Sequence, residues 1–169
     1  GRNEPVYEAD QFGQRFRRGV YIIWRRAAPY PSFVNFDAPD RTSCVVKRPS
    51  SNTPLQALTL LNDEAFVEMA QAMAARIIHE QPSAAIDDRI RHAFQLCLSR
   101  NPSPEELDVL RQMYHDERQR LVQDTQAVVK LTASPPPLIT PVPSDQVEWA
   151  VWCCLANVLL NLDETITKS

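Results

Sequence analysis

TPLQALTLLNDEAFVEMAQAMAARIIHE, residues 53–80, is the stretch on which the reading of the fold turns. Thr53 reads as an N-cap, Pro54 suits the first helical position, and Gln56 completes a T-x-x-Q capping box. Apolar residues then recur at helical spacing through Leu55, Ala57, Leu58 and Leu61. Asn62 suits a left-handed helix end, and Asp63 reads as the cap of a second helix running to about His79. Phe66, Met69, Ala70, Met73, Ala74 and Ile77 make one apolar stripe on that helix, and Pro82 closes it.

The same signals continue downstream. Asp87 is expected to open a helix with Ile86, Ile90, Phe94 and Cys97 on one face. RNPSPEE (100–106) repeats the start logic, with Ser103 as N-cap, Pro104 at N1, Glu106 at N3 and an acidic first turn facing the helix dipole. This helix is expected to reach about Leu131 along Leu107, Leu110, Tyr114, Leu121 and Val128. Glu117 and Asp124 interrupt that stripe, so its far half is expected to project from the body. Five prolines in TASPPPLITPVPS (132–144) predict a stiff, polyproline-like connector. Ser144 then reads as the cap of a last helix, DQVEWAVWCCLANVLLNL, which is apolar nearly all round and therefore central; Asn161 and Asp163 mark its exit.

Upstream, residues 1–16 lack periodicity and read as an irregular arm. Residues 17–26, RRGVYIIWRR, suit a short helix, with a strand left open. PSFVNFDAPDR (31–41) is turn-rich, and SCVVKRP (43–49) is extended. The expected organisation is an arm with a short helix or strand over 1–31 and a helical domain over 32–169. The fold class is all-α: an irregular multi-helix bundle with an extended N-terminal arm and a proline-rich connector before the last, central helix.

Composition narrows the function classes. At 169 residues, 44% hydrophobic and 23% charged, the chain suits a folded domain. Its three glycines are Gly1, Gly13 and Gly19, which removes the P-loop and the G-x-G-x-x-G fingerprint, since both need glycine where backbone approaches phosphate. The net charge of −3 gives no general reason for nucleic-acid binding, and none is expected. Charge is uneven, with nine Arg/Lys against five Asp/Glu in residues 1–50 and nine against sixteen in 51–169. Arg15, Arg17, Arg18, Arg25 and Arg26 read as a solvated or docking face before they read as a patch for an acidic ligand. The longest apolar run, Trp149 to Leu160, is too short for a bilayer and contains Asn157, so no transmembrane segment is expected. There is no signal-peptide pattern at the start.

Signatures of catalysis are scarce. Cys44, Cys97, Cys153 and Cys154 form neither C-x-x-C nor C-x-x-C-H and read as buried thiols, with a Cys44–Cys97 bridge left open. His79, His92 and His115 fall on different predicted helices, without zinc spacing. No G-x-S-x-G elbow exists. The set Asp37, Asp40 and Arg41 is the candidate for something beyond packing, since two carboxylates beside a proline turn suit a hard cation. The competing reading is a turn in which Asp40 caps backbone and Arg41 pairs with a carboxylate, and turn chemistry favours it. Asn52, Gln56, Asn62 and Asp63 are further candidates for binding, each with a capping task that explains it first. No catalytic residue and no metal ligand are expected.

Several motifs occur together in a known order. FDAPDR (36–41), Cys44, NTPLQALTLLNDEAF (52–66), AFQLCLSRNPSPEEL (93–107) and LLNLDETITK (159–168) resemble the planctomycete PSD-one domain family of unknown function, whose members lie beside cytochrome c-type domains in large exported proteins. The resemblance spans residues 17–168 and corresponds to the C-terminal part of the family's usual length, with an upstream portion absent and the proline-rich stretch as an insertion. It implies an α-helical fold, bacterial export into the periplasm or envelope, and partners among other domains of the parent chain or envelope proteins. It implies no cofactor in this chain; a haem would belong to a separate domain. Asp37, Asp40, Arg41, Asn52, Gln56, Asn62 and Asp63 match the family motif without an assigned role. The expected function is a non-catalytic docking or scaffold module. The alternative is part of a carbohydrate-active or redox enzyme whose site a missing upstream segment completes.

Overall fold

The computed structural model describes residues 19–22, 30–39, 44–47, 51, 53–82, 84–132 and 142–166. Among these the chain is all-α, with eight α-helices and no strand. The expected N-terminal arm, most of the 17–26 segment and the centre of the proline-rich connector lie outside the described residues. The chain divides into two compact units, Gly1–Ala65 and Phe66–Ser169.

In the first unit a 3-10 turn, Gly19–Tyr21, precedes α1 (Pro31–Asn35) and α2 (Pro54–Asn62). Pro31 fits the first turn of α1, where its missing N–H costs nothing. Asp37 closes α1 in the left-handed conformation, φ 55°, while the Ala38 N–H donates to Phe33 O at 2.8 Å. That six-to-one bond is a Schellman closure, with aspartate where glycine is usual. The capping box expected for α2 is present in full: Thr53 Oγ1 accepts from Gln56 N, and Gln56 Oε1 accepts from Thr53 N.

The left-handed end expected at Asn62 is not formed. Asn62 is the last residue of α2, and Asp63 follows in an extended conformation, φ −70°, ψ 133°. Asn62 instead donates its side-chain N–H to Leu58 O at 2.8 Å, satisfying a helix-end carbonyl directly. Asp63 is the single residue between α2 and α3 (Glu64–Glu80), and its Oδ1 accepts from Ala65 N at 2.9 Å. The cap expected there is real.

The second unit is built around α7 (Gln146–Leu160), which packs against α4 (Ile86–Leu98), α5 (Pro104–Gln123) and α6 (Thr125–Thr132). Trp149, Val151, Trp152, Leu155 and Leu159 are fully buried on it, together with Ile77 of α3, Ile90 and Phe94 of α4 and Leu121 of α5. Small residues Ala70, Ala74 and Ala75 let α3 enter the same core. Burying such aromatic and aliphatic side chains supplies about 1.5–3 kcal/mol each, the main drive for assembly.

Four local expectations are corrected. The helix from Ser103 does not run to Leu131, because Asp124 ends α5 and its Oδ1 caps α6 by accepting from Ala127 N at 2.9 Å. The break turns Val128 into the core, so the far half does not project. Asp145 rather than Ser144 caps α7, accepting from Glu148 N at 3.0 Å. Asp87 sits inside α4, whose N-cap is Ala85. Finally, α7 is followed by a short α8 (Asp163–Ile166) and is not the last helix.

Candidate functional site

The motif residues of the first unit converge on Asp37, Ser51 and Gln56. Left-handed backbone at Asp37 brings its Oδ2 within 2.7 Å of both the Ser51 N–H and the Ser51 hydroxyl. The hydroxyl bond, then the backbone bond, hold the Asp37 carboxyl below its ordinary range. Gln56, at the third position of α2, points back toward α1. Its Nε2 donates to Asn35 O at 2.8 Å and to Ser51 Oγ at 3.1 Å, while its Oε1 serves the capping box. Asn35 completes the link by donating to Thr59 Oγ1 at 3.0 Å.

This arrangement staples a turn, a helix start and a helix end with side-chain bonds. Both Gln56 Nε2 protons and its Oε1 are engaged, and the residue is buried. Asn62 and Asp63 are engaged with backbone as described above. Asp40, Arg41 and Asn52, and with them the rest of the expected Asp37–Asp40–Arg41 set, lie outside the described residues. Among the described residues no group of three His, Cys, Asp or Glu side chains is placed to hold a metal ion.

A second polar centre, in the other unit, escaped the reading of the sequence. Glu148 is the only charged residue of α7, and four donors converge on its carboxylate. Oε1 accepts from Arg89 Nη1 at 2.8 Å and Trp152 Nε1 at 2.9 Å; Oε2 accepts from Tyr114 OH at 2.5 Å and Arg118 Nη1 at 2.6 Å. A carboxylate offers about four lone-pair sites, and all are taken. Arg89 also donates to Gln81 O and Pro82 O, both at 2.8 Å, tying off the end of α3. Burial, followed by the bond to Glu148, pushes the Tyr114 hydroxyl up to about 12, so it stays a donor at neutral pH. The arrangement fixes α3, α4, α5 and α7 to one another and leaves no lone pair for a substrate. One acidic residue inside a predominantly apolar helix was the available signal, because a largely buried carboxylate requires a partner.

Arg100 forms a third cluster. It pairs in bidentate fashion with Glu106, at 2.7 and 2.8 Å, and reaches Glu164 of α8 at 2.9 Å. The guanidinium first, then the Ser103 backbone N–H, pull the Glu106 carboxyl down to about 2. Glu106 thus serves the α5 capping box and the arginine together.

All four cysteines are free, so the Cys44–Cys97 bridge is not formed. Cys153 is buried as expected, whereas Cys44 is exposed and Cys97 and Cys154 are half-buried. Cys97 Sγ donates to Met73 Sδ at 3.6 Å, and burial pushes its thiol up to about 11. No described helix is long and apolar enough to cross a membrane.

A family model described as PSD1, protein of unknown function (DUF1553), matches residues 2–114. The match ends inside α5, and the motif quoted at 159–168 lies outside it. No curated protein and no solved structure matches the chain.

Proposed function

Because the chain belongs to the PSD1 family of proteins of unknown function, whose model covers about two thirds of it, we propose that it is a non-catalytic helical module used for docking or scaffolding. One observation carries the reading. Asp37, Gln56, Asn62 and Asp63, the described residues of the family motif, each bind backbone within the first unit. Each of these polar side chains thus already has a structural task, starting, stopping or joining helices, that accounts for its presence. The saturated Glu148 carboxylate of the second unit supports the same reading.

The parent protein, in this proposal, is an exported planctomycete multidomain chain with a cytochrome c-type domain, and the module's partners are its other domains or envelope proteins. The motif order in the sequence supports that context. A haem would sit in the separate domain.

The test compares stability with binding. Gln56→Ala should lower unfolding stability by about 1 kcal/mol, as lost caps and hydrogen bonds do, and Asp37→Ala and Asp63→Ala should lower it as well. Titration of the wild type with Ca²⁺ or Mg²⁺ should leave its amide resonances unmoved. If D37A keeps wild-type stability while abolishing a micromolar Ca²⁺ or Mg²⁺ site, the residue serves a ligand and the reading fails.

A further inference from the structure

We draw no further inference here: the strongest candidate, the sulfur pair of Met73 on α3 and Cys97 on α4, 3.6 Å apart, rests on a single cysteine in thiol–thioether contact, and nothing else among the described residues points to a soft metal or other ligand there.

Discussion

Removing the Glu148 carboxylate is the sharpest test of what holds the second unit together. Glu148→Ala leaves the α7 cap intact, because Asp145 accepts from the Glu148 backbone N–H rather than from its side chain. What disappears is the common acceptor of Arg89, Trp152, Tyr114 and Arg118. Arg118 is 42% exposed and regains water, and Arg89 keeps its two carbonyls on Gln81 and Pro82. The Tyr114 hydroxyl and the Trp152 N–H, on buried side chains, are left without a partner, and the remaining Arg89 charge is 13% exposed. Breaking a buried pair of this kind costs about 3–5 kcal/mol, most of it the penalty for the stranded donors. For a unit near 100 residues, with about 4–8 °C per kcal/mol, the unfolding midpoint should fall by at least about 12 °C. Calorimetry, alongside urea unfolding followed by circular dichroism, measures both quantities. Arg91→Ala, which removes an exposed pair with Asp88, is the comparator and should cost under about 1 kcal/mol. A midpoint loss for E148A no larger than for R91A would refute the account of Glu148 as the centre of the bundle.

The pH profile should show two edges. Asp37, Glu80, Asp87 and Glu106 are all held below their ordinary carboxyl values, Glu106 at about 2 against 4.5. A depressed folded value means stability that is present above pH 4.5 and lost as pH falls toward 2, so urea midpoints should drop across that window. Tyr114 has the opposite sign, raised from 10.0 to about 12, and its contribution is complete below pH 10 and lost as pH rises through 12. Absorbance at 295 nm should show one tyrosine ionising late, together with unfolding. Thiol labelling at pH 8 should proceed at exposed Cys44 first. Cys97 and Cys154, both raised from 9.0 to about 11 by burial, should react about a hundredfold more slowly than an ordinary thiol. Fast labelling of all four in the folded chain would contradict the described packing.

Local chemistry was legible in the sequence; distant chemistry was not. Thr53 with Gln56 and Ser103 with Glu106 announce their helices because each capping box closes within four residues. The apolar run from Trp149 to Leu160 announces a central helix by composition alone. Asp124 was visible as an interruption, but whether it bends a helix or lets it project depends on whether Val128 finds a core, which is a tertiary matter. The same limit applies to α2. Its period declares a helix, yet nothing local says that Gln56 goes in and Leu58 goes out, since that choice is made by Asn35 and Ser51. Glu148 shows the limit most clearly, because its arginine partners lie 59 and 30 residues away.

The order in which the bundle is connected bears on how it comes into being. Helix α7 supplies the inner surface of the second unit, yet α3 to α6 precede it in the chain, with the proline-rich stretch between. At about 5–20 residues per second, a ribosome starting on α3 needs several seconds to reach the end of α7. Through that interval Ile77, Ile90, Phe94 and Leu121 have been synthesised without the tryptophans that later cover them. The early helices of a nascent chain therefore carry uncovered apolar faces until the closing helix is made.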